Sequence, residues 1–417
     1  MISTHAFRCL QHRNFRIYYL GQLVSLNGTW MQAVAQSWLI YRLTGSGFML
    51  GLVGTLTLLP NLVLGFYGGW LADRYARHRL LIIAQTLAMV QALLLGILTV
   101  GGQVEPWHIL LLAAALGIVQ AIETPVRHSF IVQLVPRDDL PNAIALNSTM
   151  FHLARFIGPA IAGALVALIG EGPVFLINAV TFVVVLFSLF ALRLPALPAG
   201  HHEQRGISGI WSGLHYAWQH KLTRSLLALV ATVSLLGAAA VVLMPIFVAR
   251  VFERGPESLG IFMGMLGAGS LMGALMLAHQ RDFRLLERRV ALAAVAAGLA
   301  LFVFALNDNY FLALVNLFVI GLVFTTVFSS SNALIQLAVP DHLRGRTMAL
   351  FTICLHGMVS IGQLLLGTAA DVLGAPLTAG TSGAVLFVLA LLLAVSLYKL
   401  KEPLQQNLKL SNDEDAS

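Results

Sequence analysis

Charge is scarce in this sequence. Of its 417 residues only 10% are Asp, Glu, Lys or Arg, 58% are hydrophobic, and the mean hydropathy is +0.84. A soluble domain so poor in charge would present an apolar surface to water and precipitate, so the solvent has to be lipid. Cysteine is scarcer still: Cys9 precedes the first long apolar run and Cys354 sits inside a later one, which leaves no disulfide framework and no thiolate metal site. A phosphate-binding glycine loop, a Gly-x-Ser-x-Gly elbow and metal-ligand spacings are all missing. Their absence argues against an enzyme and against direct use of ATP, and no cofactor is expected. The first apolar run follows a basic lead-in without a small-residue cleavage site, so it is expected to be retained.

What the sequence has instead is long apolar runs. Twelve of about 20 residues, the length that crosses a bilayer, begin near residues 16, 47, 80, 107, 142, 173, 224, 257, 288, 310, 344 and 374. The expected class is an all-α membrane protein with 12 transmembrane helices. A repeat divides them. Val135-Pro136, Ala145-Leu146, His152, Gly158, Gly163 and Gly170 return as Val339-Pro340, Ala349-Leu350, His356, Gly362, Gly367 and Gly374, each 204 residues on (356 − 152). That is about half the chain, the spacing of two similar six-helix halves joined end to end. The expected organisation is a lead-in at 1–15, a first half at 16–193, a connector at 194–222, a second half at 223–400 and a polar, acidic tail at 401–417. Within the connector, His201 and His202 read as a solvated pair rather than a metal site, and Trp211, Tyr216 and Trp218 suit a helix lying along the membrane surface.

The net charge of +7 is not gathered into a nucleic-acid patch. All but four of the 25 Lys and Arg residues fall on one side if the N-terminus is cytosolic, the exceptions being Arg42, Arg155, Arg250 and Arg254. The positive-inside rule accounts for this and places both termini in the cytosol. The expected setting is a bacterial-type cytoplasmic membrane, with the lipid bilayer and a small-molecule substrate as partners and the chain as a monomer.

Polar residues inside the spans carry the functional candidates. On the first span Gln22, Ser25, Thr29, Gln32 and Gln36 share one helical face; a cavity lining is expected, with hydrogen bonding between helices as the alternative. The fourth span presents Gln120, Glu123, Thr124 and Arg127. A carboxylate at this depth costs roughly 2.5–3.5 kcal/mol unless paired or neutralised, so Glu123 is either a proton site tuned by Arg127 or half of a static ion pair. On the fifth, Ser148, His152, Arg155 and Pro159 share a face. At about 1.5 Å per residue His152 falls roughly mid-membrane, where an arginine one turn on is rare without a partner or water. Arg155 is read as a substrate or coupling cation and His152 as a secondary titratable group, with purely structural roles as the alternatives. On the tenth span Thr325, Ser329, Asn332 and Gln336 form a second candidate lining, and His356 repeats His152. An Arg155 set in an otherwise apolar cavity favours a neutral or anionic amphipathic solute.

The second span ends in Gly69-Trp70-Leu71-Ala72-Asp73-Arg74-Tyr75-Ala76-Arg77-His78-Arg79. A glycine that lets helices approach, an acid four residues later and a basic loop make a charge set able to latch helices on one side of a membrane; a topology anchor would use the same cluster. The stretch resembles the loop motif of the major facilitator superfamily, Gly-x-Leu-Ala-Asp-Arg-x-Gly-Arg-(Arg/Lys), with Ala76 for the second glycine and His78 for a basic residue. Asp282 and Arg288 echo Asp73 and Arg79 in the second half. Asp341-His342-Leu343-Arg344-Gly345-Arg346 resembles the Asp-x-Leu-Arg-Gly-Arg loop of the drug and siderophore exporter branch. Gly158-Pro159-Ala160-Ile161-Ala162-Gly163 resembles a shortened fifth-helix Gly-Pro motif of the superfamily's exporters, in which small residues pack closely beside a helix of the other half.

The resemblance implies the major facilitator fold, a gate formed by Gly69, Asp73, Arg74, Arg77, Arg79, Asp341, Arg344 and Arg346, and close packing at Gly158, Pro159, Gly163, Gly362 and Gly367. It implies a secondary active exporter of small amphipathic molecules, siderophore or drug-like, working by alternating access as a proton antiporter with the proton gradient as energy source. The proton-coupling candidates are Glu123, Arg127, His152 and Arg155. A major facilitator importer or uniporter is the alternative within the class, and a non-transporting receptor or scaffold the alternative outside it; an internal repeat with inward polar faces favours transport.

Overall fold

The structure, a computed structural model, describes residues 4–193, 208–279 and 286–398, and among them there is no strand. The first half consists of α1 (Arg13–Thr44), α2 (Gly47–Arg74), α3 (Arg77–Val100), α4 (Pro106–Ile131), α5 (Leu140–Ile169) and α6 (Glu171–Phe190). After the short α7 (Ser208–Gln219) come α8 (Lys221–Val251), α9 (Pro256–Ala278), α10 (Leu286–Ala305), α11 (Tyr310–Ala338), α12 (Leu343–Leu373) and α13 (Ala375–Tyr398). Each long helix begins within three residues of its expected start. The His201–His202 pair, Asp282 and the tail lie outside the described residues.

Eleven of the twelve long helices are long and apolar enough to cross a membrane. The twelfth, α1, has the length, 32 residues, but not the apolarity, because it carries the Gln-rich stripe. The bundle hides that stripe: Gln22, Ser25, Gln32 and Gln36 are all buried, and α1 lies against α5 and α6. Gln32 donates to Gln91 Oε1 of α3 at 2.9 Å and accepts from Asn178 Nδ2 of α6 at 2.7 Å. Thr29 is spent on its own helix, donating to the Ser25 carbonyl at 3.0 Å. For Gln32 the expectation of a cavity lining is therefore corrected: its amide joins three helices and is satisfied there without water, while Gln22, Ser25 and Gln36 are buried within the bundle.

The repeat has a packing meaning. A Cβ on Gly158 would meet Trp30 and Asn27 of α1, and one on Gly362 would meet Leu235 of α8, the corresponding first helix of the second half. A Cβ on Gly163 would meet Pro256 and Gly260 of α9, and one on Gly367 would meet Gly47 and Gly51 of α2, each the second helix of the opposite half. Gly163 and Gly367 thus make the seams between halves, whereas Gly158 and Gly362 pack inside their own half; of the fifth-helix glycines expected beside the other half, Gly163 is there and Gly158 is not. Gly170 and Gly374 close the fifth and eleventh spans with φ of 82° and 85°, left-handed backbone that only glycine takes without strain.

The close glycine approaches between halves all lie towards one end of the bundle. Along α2 and α12 they run from Gly47 with Gly367 to Leu62 with Gly357, and along α5 and α9 from Gly163 with Gly260 to Arg155 with Gly267. We call this the far end, since α1 begins and α13 ends at the opposite one. Among the described residues no close glycine approach between halves lies towards the terminus end, where Val63, Tyr67, Ile144, Phe151 and Leu337 are exposed. Replacing Gly367 by Val would drive a branched side chain into the Gly47 carbonyl, an overpacking that costs typically 1–3 kcal/mol. Thermal unfolding of the purified chain should show a lower midpoint for Gly367→Val. Gly69→Ala is the control, since a Cβ on Gly69 meets nothing within 4 Å and the midpoint should not move.

The lead-in is fastened to the terminus end of the first half. Buried Asp139, in the loop before α5, holds Arg8 at 3.1 Å and His12 Nε2 at 2.6 Å. Cys9 is fully buried beside it and donates to Asn142 Oδ1 at 2.7 Å. Burial, with the Asp139 charge second, pushes the Cys9 thiol up from its usual range, so it stays protonated and inert.

Candidate functional site

The gate residues are gathered at the terminus end, and the contacts of Asp73 and Arg77 stay within the first half. Asp73 is half exposed, and its ion-pair partner is Arg77, 4.0 Å away on the next helix start. Arg77 donates to the Ala72 and Ser129 carbonyls, both at 3.2 Å, binding the α2–α3 loop to α4. Arg74 lies over the Trp70 ring at 5.4 Å and Arg79 is exposed. Arg344 of the second half donates to the Gln336 carbonyl at 3.1 Å, and Arg346 is exposed; the Asp341 side chain lies outside the described residues. The close approach expected of Gly69 belongs to Gly68, where a Cβ would meet Ala121, Ile122 and Pro125 of α4.

Glu123 and Arg127 form a partly buried pair, 3.6 Å from Nε to Oε1, each side chain 14% exposed. Gln85 of α3 donates to the same Glu123 oxygen at 3.1 Å. The buried Tyr18 hydroxyl of α1 has no hydrogen-bond partner and lies within electrostatic reach of both charges. The group therefore sits among α1, α3 and α4, inside the first half rather than on the wall shared with the second. Gln120, one turn earlier, is half-buried.

Arg155 is on the shared wall. Its guanidinium lies over the Trp30 ring at 5.6 Å, close enough for a cation–π contact, and no acid comes within ion-pair distance of it among the described residues. A cavity of about 30 Å³ opens there, with Trp30, Arg155 and Pro159 from the first half and Val241, Met263 and Leu266 from the second. His152, one turn back, is half-buried with its Nδ1 unpartnered. Its repeat, His356, stands in a π-helical turn, Ile353–Gly357, of α12, a local distortion common at functional sites.

The second candidate lining on α11 divides. Thr325 is buried against Gly273 of α9 and lines nothing, which corrects its expected place. Ser329 and Asn332 are half-buried, and Gln336, exposed at the open end, donates to Asn332.

One residue escaped the sequence altogether. Asp371, at the far end of α12, caps the start of α2: its carboxylate accepts from Ser46 Oγ at 2.7 Å, from Gly47 N at 2.5 Å and from Phe48 N at 2.9 Å. Arg250, at the end of α8, lies close enough to contribute its charge. Gly45, Ser46, Arg250 and Asp371 line one side of a far-end cavity of about 510 Å³. The signals were an acid in an apolar span and a Ser-Gly helix start, 325 residues apart.

Three comparisons bear on this arrangement. The family described as transmembrane secretion effector matches residues 4–415. Among curated proteins the chain is similar to the staphyloferrin A transporter of Staphylococcus aureus, 25% identical over 362 residues, covering 86% of this chain and 90% of that one. It is similar to the multidrug efflux pump Tap of Mycobacterium tuberculosis, 27% identical over 366 residues (84% and 86%), and to the enterobactin exporter EntS of Escherichia coli O1:K1 / APEC, 26% over 394 residues (94% and 93%). Among solved structures, a bacterial homologue of the lysosomal transporter Spinster superimposes with TM-score 0.68 at 16% identity (96% and 98%). The nucleoside transporter NupG gives 0.70 at 13% (92% and 99%), and these two likenesses speak to the fold.

Proposed function

This chain belongs to the transmembrane secretion effectors of the major facilitator superfamily, and from that premise we propose that it exports a siderophore or drug-like amphipath from the cytosol by proton-coupled alternating access. The observation that carries this reading is the one-sided seam: the close glycine approaches between halves, at Gly47, Gly163, Gly260 and Gly367, lie at the far end, and among the described residues none lies at the terminus end. A carrier needs two such arrangements, and helices that meet mainly through glycine, with few hydrogen bonds between them, can separate at small cost in stranded polar groups. The terminus end faces the cytosol in this reading. Arg8, Arg13, Arg16, Arg74, Arg77, Arg79, Arg137 and Arg193 crowd it, while Arg42, Arg250 and Arg254 are the basic residues of the far end.

In this arrangement Asp73 and the loop arginines are the unengaged half of a latch that closes the cytosolic mouth in the other state. Glu123 takes up the proton from outside, with Arg127 setting its charge. Purified chain in proteoliposomes should expel ethidium, or an iron-free catecholate siderophore, against a concentration gradient when a pH difference is imposed. Collapsing that difference with a protonophore should stop it. Transport indifferent to the protonophore would remove proton coupling. A deletion strain, scored for drug sensitivity and for siderophore left in the medium, assigns the cargo.

A further inference from the structure

We propose that Arg155 and Trp30 form the binding site for an anionic group of the cargo, so that the transported molecule is an amphipath carrying a carboxylate or comparable anion beside an aromatic or alkyl body. The inference rests on the export reading for its setting but not for its test.

The guanidinium cannot lose its charge in a protein. Among the described residues the acids stand elsewhere: Glu123 is paired with Arg127, Glu171 with Arg42 at 2.8 Å, Asp139 with Arg8 and His12, and Asp371 is spent on the start of α2. Arg155 is left with the face of Trp30 at 5.6 Å, which offers a quadrupole and no counter-charge. A fixed cation at membrane depth without an acid is costly, and the missing charge has to come from something that enters and leaves.

The surroundings fit such a visitor. The cavity at Arg155 is bounded by Trp30 and Pro159 on one side and by Val241, Met263 and Leu266 on the other. A ligand anchored on the guanidinium lays its apolar body against both halves of the protein. Its volume of about 30 Å³ admits a small anionic group while the far end is closed, and the body extends towards the open end past Phe151, whose ring meets Trp30 edge-on at 5.8 Å. Trp30 is itself fixed, because Gly158 presses its backbone against the Trp30 Cβ. Position adds the rest: Gly267 of α9 packs on the Arg155 carbonyl, at the inner limit of the α5–α9 seam. A group bound here touches the pivot between the halves and therefore binds the two arrangements unequally, as a ligand that shifts a two-state equilibrium must.

The test is equilibrium binding to the full chain in nanodiscs, without any gradient, using 1-naphthoate and its uncharged isostere 1-naphthamide as probes. Wild type should bind the carboxylate at least tenfold more tightly than the amide. Arg155→Gln should bind both with the amide's affinity, and Arg155→Lys, which keeps the charge but loses the planar fork, should retain an intermediate preference. Equal binding of the two probes by wild type overturns the proposal, as does a preference that survives in Arg155→Gln. Should Arg155→Gln fail to fold, the wild-type comparison and Arg155→Lys decide alone. Binding preference without gradient-driven transport would count against the export reading and leave the anion site standing; transport without the preference would do the reverse.

Discussion

Replacing Glu123 by Gln is expected to reduce pH-gradient-driven efflux in proteoliposomes to the leak rate, while substrate binding and one-for-one exchange persist. Among the described residues Glu123 is the acid set deep within a long helix; Asp73, Glu171, Glu257, Glu287 and Asp371 all stand within a turn of a helix end. It is hydrogen-bonded to Gln85 and paired with Arg127 at 3.6 Å, a contact too long to be a hydrogen bond. Protonation would remove the charge that Arg127 faces and free that cation within reach of the Tyr18 hydroxyl, which has no other partner. Gln copies the shape and the Gln85 contact of the protonated acid but cannot give the proton back. A positioned proton-transfer group is worth about 10²- to 10⁴-fold, and a loss of that order in net efflux is expected. Exchange that needs no proton cycle should survive. Efflux in Glu123→Gln that still follows the imposed pH difference would dismiss Glu123 as the coupling site.

The membrane class, the span starts and the division into halves were readable because lipid imposes a length and an apolarity on every crossing helix, and a duplication leaves its glycines in register. The charge loop after α2 was readable as a motif. Direction was not. Residues spaced 3 and 4 apart, such as Gln22, Ser25, Gln32 and Gln36, define a face of α1, yet nothing in their spacing says whether cavity or helix lies opposite, and the partners Gln91 and Asn178 come from two other helices. Neighbouring glycines were equally ambiguous: Gly68 packs on α4 while Gly69, one step round the helix, faces open space. Glu123 and Arg155, both expected on one pathway, stand in different places, one enclosed by α1, α3 and α4 and the other at the seam. The link between Ser46 and Asp371 exists only in three dimensions.

That link sets the last expectation. Asp371 belongs to the second half and α2 to the first, so its three hydrogen bonds to Ser46, Gly47 and Phe48 exist only while the far end is shut. A carboxylate on the free N–H groups of a helix start is favoured by both hydrogen bonding and the helix dipole. The site is exposed, which weakens each bond, and about 1–3 kcal/mol for the whole latch is a reasonable scale, equivalent to roughly 5- to 150-fold in the balance between the two arrangements. Asp371→Ala should therefore favour opening at the far end. With single cysteines placed at Leu50 and Ala370, both buried at the closed far end, in a chain lacking Cys9 and Cys354, labelling by a membrane-impermeant maleimide from outside should quicken by that order. Asp73→Asn should act with the opposite sign, since among the described residues Asp73 has no partner across the halves and can lose one only in the arrangement that closes the terminus end. If both substitutions move labelling the same way, or neither moves it, the two acids are not opposed latches.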